Sequence, residues 1–341
     1  MRRPRYPGTH PRAFHHKYKE LDPTRHPEEI QKVLASGKTP AGMHVPIMAA
    51  EVVACLRPQP GDVVVDCTIG GGGHAQALLE RIQPGGRLIG MDVDRVELER
   101  TEARLRAAGY GPATFVARHS NFAGLPKVLA AERLATADVI FADLGVSSMQ
   151  LDNPERGFGY KGVGPLDMRM DRSRGEPASA LLARASETTV AEWLTAHADE
   201  PHAATIAGLL KAKPLTTTHA TERAVRMGLE RARPNLSKPD VKMSVRRTFQ
   251  ALRIAVNDEF RVLDALLRAL PDCLASGGRA AFITFHSGED RRVKKAFQAG
   301  ARSGVYSDVA DEVIRSSMAE TRANRRSTAA KLRWAIRGNR A

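Results

Sequence analysis

The sequence predicts an α/β fold, a doubly wound Rossmann-like sheet interrupted by a helical insertion. Three observations carry this. Val63-Val64-Val65-Asp66 is a β-branched run closed by an acid, followed by Gly70-Gly71-Gly72-Gly73 and by apolar residues at helical spacing through Ile82. Strand, glycine turn and helix form the opening unit of such a sheet. Further short apolar runs recur at Arg87–Asp92, Ala113–Arg118, Ala137–Asp143 and Arg279–His286. Between the last two, Ser173 to Pro239 shows Ala and Leu at helical spacing and no strand signal.

Taken in order, residues 1–43 form a separate arm rich in Pro, His and Arg, with Arg2, Arg3, Arg5, Arg12, Lys17 and Lys19 near its start. Such an arm either grips nucleic acid or keeps the chain soluble. Glu20, Asp22, Glu28 and Glu29 argue against a transit peptide. Residues 44–172 read as the first part of the sheet domain. His44 to Leu56 is a helix entering the fold with Pro46 in its first turn. After Asp92, Val96–Ala107 is helical and Ala113–Arg118 is a third strand. Phe122, just beyond it, either edges an adenine ring or packs in the core. The fourth strand ends at Asp143. A long Gly-rich loop with acids and arginines follows, at the sheet edge where open α/β folds place ligands.

Residues 173–239 are the helical insertion, suited to substrate recognition, with Lys211, Lys213, Arg223, Arg226, Arg231, Arg233 and Lys238 making its second half basic. Residues 240–341 return to the sheet. Arg246, Arg247 and Arg253 beside Thr248 and Gln250 can clamp phosphates and a base edge. Val262–Leu274 is an amphipathic helix, Ser276-Gly277-Gly278 a turn, and Arg279–His286 the fifth strand, with His286 at its polar end. Ala330–Arg337 alternates apolar and basic residues, as an edge strand with one wet face does.

The acid inside the glycine motif selects among nucleotide ligands. S-adenosylmethionine carries an ammonium and a sulfonium and no phosphate, so Asp66 can meet the ammonium and Asp92 the ribose hydroxyls. A nicotinamide dinucleotide fits this turn poorly. With 52 Lys and Arg against 38 Asp and Glu, the net charge is +14. The pI of about 10.1 points to a polyanionic partner, with a merely basic enzyme as the alternative. Cys55, Cys67 and Cys273 have no metal-ligand spacing and no disulfide framework, which suits a cytoplasmic protein. There is no membrane-spanning apolar run and no secretory signal.

Several runs together are similar to the bacterial 16S ribosomal RNA (cytosine-N4)-methyltransferase family, the small-subunit methyltransferase H type. They are His44-Val45-Pro46, Gly72-Gly73-His74, Asp143-Leu144-Gly145-Val146-Ser147-Ser148 and Glu155-Arg156-Gly157-Phe158. Then come Gly164-Pro165-Leu166-Asp167-Met168-Arg169-Met170-Asp171, Arg247-Thr248-Phe249-Gln250-Ala251-Leu252-Arg253-Ile254, Phe285-His286-Ser287 with Glu289-Asp290-Arg291, and Ala330-Lys331-Leu332-Arg333. The two eight-residue runs are the most specific.

The resemblance implies a class I methyltransferase sheet with an inserted helical domain. It implies S-adenosylmethionine bound by Gly72, Gly73, His74, Asp92, Phe122, Asp143 and Gln150. It further implies N4-methylation of a decoding-region cytosine, on ribosomal RNA or the small subunit. The cytosine amine must be held in line with the donor methyl while its N–H meets an acceptor. Asp143 or Ser147 is the expected acceptor. Asp167, Arg169, His286 and Asp290 are expected to line the cytosine pocket, and Arg247, Gln250, Arg253 and Arg291 to contact RNA. No metal is expected. A paralogue acting on another RNA and a non-catalytic ribosome-assembly factor are the alternatives, and monomer and dimer both stay open. Departures from the family pattern fall on the long basic arm, on Lys242-Met243-Ser244-Val245 in place of a His-Pro pair, on Gly288 in place of Leu, and on a short segment after Phe297.

Overall fold

The computed structural model describes residues 46–339; the basic arm and the His44-Val45 pair lie outside them. Eight strands form one sheet: β1 (Val63–Asp66), β2 (Arg87–Asp92), β3 (Phe115–His119), β4 (Ala137–Asp143), β5 (Leu274–Thr284), β6 (Tyr306–Val309), β7 (Ile314–Arg315) and β8 (Lys331–Arg337). Their order is β3-β2-β1-β4-β5-β8-β6, with β7 also on β8. Strands β1 to β5 are parallel, and β8 runs antiparallel between β5 and the β6 and β7 pair. The chain winds outward through β1, β2 and β3, then crosses back to β4. That reversal leaves a crevice at the carboxyl ends of β1 and β4, where this fold class binds ligands.

Both sheet faces are covered, which is why the strands read as continuous apolar runs. Alternate residues serve opposite layers. Val64, Leu88, Val139, Phe141 and Ile283 pack under α1 (Ala49–Leu56), α2 (Gly73–Ile82) and α3 (Arg95–Ala107). Val65, Ile89, Ile140 and Phe282 pack under α4 (Leu125–Ala131), α11 (Glu259–Cys273) and α12 (Ser287–Arg302). Between β4 and β5 the chain also forms α5 (Ser148–Asp152), α6 (Ala178–Arg184), α7 (Glu187–Ala198), α8 (Ala203–Lys211), α9 (Thr218–Ala232) and α10 (Lys238–Asn257), and α13 (Met318–Ala323) follows β7. Helices α6 to α10 enclose a separate apolar cluster around Leu182, Leu194, Ile206 and Val225. The boundary drawn at 239/240 falls on the first turn of α10, whose Val241, Val245, Phe249 and Leu252 belong to that same cluster.

Several expectations need correction. Helix α1 starts at Ala49, because Met48 takes a left-handed φ of 57° and breaks the turn Pro46 would have opened. The glycine pair before the fifth strand is a bulge inside β5: Ala137 pairs with Leu274 but Val139 with Arg279. Strand β8 is interior, not an edge. Strands β6 and β7 are only 4 and 2 residues long, too short to show a period. The basic residues of β8 are paired, not wet: Arg333 is 7% exposed and sits on Asp290. The three cysteines are free thiols. Among the described residues no helix is long and apolar enough to cross a membrane.

Candidate active site

The glycine turn is fixed by its neighbours. Asp92 Oδ2 accepts from the Gly70 N–H at 2.8 Å, and Arg104 Nη2 donates to the Gly71 carbonyl at 2.6 Å. The Thr101 hydroxyl donates to the Gly70 carbonyl. Gly72, at φ +70°, caps α2, and a Cβ there would lie 2.6 Å from Thr101 Cγ2 and from Arg104 Nη2. Gly72→Ala is therefore expected to cost about 1–3 kcal/mol in denaturant unfolding and to weaken cofactor binding, since both the left-handed backbone and the close approach are lost. Pro46 packs directly on Gly73, within 3.3 Å of where its Cβ would stand. His74 reaches back to the Ile47 carbonyl at 2.9 Å, and burial lowers its pKa to about 4, so the ring is neutral.

Asp66 is not the acid that faces the crevice. It is 1% exposed and accepts from the Thr68 N–H at 3.0 Å, and burial raises its pKa to about 7. The acid at the crevice is Asp143, one strand over. Its N–H donates to Thr68 Oγ1 at 2.6 Å, and its Oδ2 lies 3.8 Å from His74 Nδ1. Its Oδ1 is buried with no hydrogen-bond partner. Burial, then the nearby charges of Asp66 and Glu289, raise its pKa to about 8. Burial likewise raises Asp92 to about 6, against the N–H groups of Asp94 and Gly70.

The glycine turn, His74, Asp92, Arg104 and Asp143 border a cavity of about 1020 Å³. All seven positions that the resemblance assigns to the cofactor lie on its wall. An unpartnered buried carboxyl oxygen suits a cationic ligand, whose charge favours the ionised form of the acid. The glycine cradle and Asp92 leave room for a ribose. The residues present therefore fit S-adenosylmethionine.

Two of the expected site residues have structural partners. Ser147 caps α5: its Oγ accepts from the Gln150 N–H at 3.1 Å, and its own N–H donates to Gln150 Oε1 at 2.9 Å. Gln150 Nε2 donates to Asp94 Oδ2 at 2.9 Å, so this amide holds the loop to the β2 end. Arg156 grips the same Asp94 oxygen at 2.5 Å and the carbonyls of Arg169 and Met170. Arg156 lies in the family-like Glu155–Phe158 run, but its pairing with Asp94, 62 residues away, has no local signature in the sequence.

The opposite wall comes from α10, α11 and the β5 end. His286 caps α12, accepting from the Glu289 N–H at 3.4 Å, and its Nε2 lies 3.1 Å from Glu289 Oε1. Burial works against the Glu289 charge, but the His286 ring, the Arg253 guanidinium and the Phe285 N–H hold the carboxyl below its ordinary range. Arg253 pairs with both oxygens of Glu259 at 2.7 and 2.8 Å. Gln250 Nε2 donates to the His197 carbonyl at 3.0 Å. The spacing of His286 and Glu289 on one helical turn was a signal that could have marked Glu289. Gly288, the departure from the family pattern, makes room for Phe260, whose Cζ would stand 2.5 Å from a Cβ there.

His286, Gln250 and Arg253 border the cavity; Asp167, Arg169, Arg247, Asp290 and Arg291 do not. Asp167 holds Arg169 at 2.7 Å and Arg172 at 3.3 Å. Arg247 lies 3.9 Å from the buried Glu200, and Arg291 pairs with Asp199 at 2.9 Å. Asp290 pairs with Arg333 and Lys331 at 2.7 and 3.1 Å. Asn257, also unmarked in the sequence, donates to the Met168 carbonyl and accepts from the Met170 N–H, both at 2.8 Å.

The MraW methylase family matches residues 41–337. The "Ribosomal RNA small subunit methyltransferase H 2" of Alkaliphilus metalliredigens is 44% identical over 342 residues, spanning 99% of this chain and 97% of that protein. The "Ribosomal RNA small subunit methyltransferase H 1" of Lachnoclostridium phytofermentans is 41% identical over 98% of this chain and 93% of its own length. The Myxococcus xanthus "Ribosomal RNA small subunit methyltransferase H" is 44% identical over 85% and 96%. With the strand order of a class I methyltransferase, a glycine turn at its switch point and a match across nearly the whole described chain, this protein belongs to the MraW methylase family.

Proposed function

We propose that this chain uses S-adenosylmethionine to methylate small-subunit ribosomal RNA, at the exocyclic N4 of a decoding-region cytosine. Membership of a methylase family and relatives named for small-subunit ribosomal RNA support the enzyme class and the substrate. The single observation that carries the chemistry is Asp143. It is an acid with an unpartnered buried oxygen, at the mouth of the switch-point crevice, between the glycine cradle and a second polar wall.

When bound, S-adenosylmethionine supplies an electrophilic methyl on a sulfonium. The protein's part is positioning and electrostatics. Gly72 and Gly73 let Thr101, Arg104 and Pro46 close against the turn that cradles the ligand, and Asp92 offers a carboxylate to the ribose. Asp143 balances the ligand's positive charge and, with its side chain 27% exposed, offers a carboxylate oxygen to an N–H donor. Accepting a hydrogen bond from the cytosine amine localises its lone pair for attack, and the ionised Asp143 carboxylate takes the amine's proton as the methyl is transferred. The base must leave its stack to arrive here. His286 and Glu289 on the far wall are placed to orient it.

The test is methyl transfer from labelled S-adenosylmethionine to small ribosomal subunits lacking the modification, with the product nucleoside identified by mass spectrometry. N4-methylcytidine in the decoding region is the expected product. Another methylated nucleoside would move the substrate assignment, and cofactor binding without transfer would favour an assembly factor.

A further inference from the structure

The helical layer carries two kinds of cation. Some sit on a carboxylate: Arg226 on Glu222, Arg247 near Glu200, Arg253 on Glu259. Lys238, Lys242 and Arg246 on α10 differ, as do Lys213, Arg231 and Arg233, but only the first three share one helix in register. All three are exposed, and no ion pair among the described residues engages them. They stand at i, i+4 and i+8, a single row along one helix face, about 6 Å apart along the axis at 1.5 Å per residue. Within α10, positions three and four away from each hold Val241, Pro239, Val245, Met243, Phe249 and Gln250, or another cation of the row, and no acid. Like charges one turn apart repel and weaken a helix. The row thus has no evident structural use and a small local cost.

The row also has a direction. From Arg246 onward the same helix becomes cavity wall, with Phe249, Gln250, Arg253 and Asn257 behind it. Arg246 stands at the mouth, and Lys242 and Lys238 lie one and two turns farther out. We propose that these three side chains form a track for the sugar–phosphate backbone of a single RNA strand, holding the nucleotides beside the base that enters the cavity. A single line of cations suits one strand, and the base that enters is unstacked. This inference rests on the reading that the acceptor is RNA.

The experiment compares the K238Q/K242Q/R246Q variant with the unchanged full chain. Binding of a labelled single-stranded RNA spanning the decoding region is followed across a KCl series. Each cation withdrawn from a phosphate should reduce the slope of log K against log salt by about 0.7, so three should reduce it by about 2, with at least about tenfold weaker binding at low salt. A control variant, K294Q/K295Q/R302Q on α12, removes the same charge from exposed positions elsewhere. It should leave slope and affinity near those of the unchanged chain. Because repulsion along α10 is relieved, K238Q/K242Q/R246Q should unfold no more easily than the unchanged chain. An unchanged slope, or an equal loss in the control, would overturn the track. A chain that binds RNA with the expected slope yet transfers no methyl would sink the functional reading and leave the track standing. A chain that does not bind the single-stranded RNA would sink the track, and the functional reading would fall only if methyl transfer to small ribosomal subunits also failed.

Discussion

Asp143→Asn is expected to weaken S-adenosylmethionine binding by about 10–100-fold, the magnitude of a lost hydrogen bond to a charged group. It should also remove the pH dependence of that binding. In the free protein burial and the neighbouring acids raise Asp143 to about 8, so the carboxyl is mostly protonated at neutral pH. A cationic ligand binds the ionised form. Affinity should therefore rise roughly tenfold per pH unit up to about pH 8 and then level off. Asn keeps the shape and the N–H to Thr68 but cannot ionise. Calorimetric titrations of both proteins between pH 6 and 9 decide this, and an equal slope in the Asn variant would sink the role given to Asp143.

The same acids make a stability prediction with a definite sign. Asp66, Asp92 and Asp143 have folded-state values of about 7, 6 and 8, all above the unfolded value of about 3.9. Between those limits the folded chain holds more protons than the unfolded one, so stability falls as pH rises. Their contribution is complete below about pH 4 and is lost as the pH climbs through 6 to 8. The melting temperature of the free protein should drop over that range, and the rise on adding S-adenosylmethionine should grow over it.

What could be read in advance follows from how local each feature is. The strand, the glycine turn and α2 are contiguous, so residues 63–82 announce them. The insertion declares its helices by period, but its end does not. Residues of α10 alternate between an apolar face for the helical cluster and a cationic row, and composition alone cannot say which layer owns the helix. Asp66 and Asp143 both close strands at one sheet edge. Asp66 pairs with Phe141, so Asp143 stands two residues farther out along its strand, toward the crevice, while the Asp66 carboxyl turns back to the Thr68 N–H. The Gly164–Asp171 run is distinctive in sequence for a structural reason. Leu166 and Met168 are wholly buried against the helical cluster, Met168 at a φ of +64°, while Asp167 gathers two arginines.

Asp290→Ala carries the largest expected stability loss, and it separates structure from substrate contact on the acceptor side. Asp290 belongs to the family-like run that follows the fifth strand, and the resemblance predicts a role in the base pocket. Its carboxylate instead joins α12 to β8, with Oδ1 2.7 Å from Arg333 Nε and Oδ2 3.1 Å from Lys331 Nζ. The Arg333 side chain is only 8% exposed, so removing the acid strands a buried guanidinium. Breaking such a pair from one side costs about 3–5 kcal/mol, far more than an exposed ion pair contributes. Urea unfolding should show that loss, and in the fraction that stays folded the KM for ribosomal subunits should hold. Asp290→Asn, which can still accept from Arg333, should recover part of the stability. An alanine variant of unchanged stability but raised KM would return Asp290 to the substrate pocket. The expected result instead makes the acid a clamp on β8. That strand runs against β5, and through it α12 keeps the His286 and Glu289 wall at a fixed distance from Asp143.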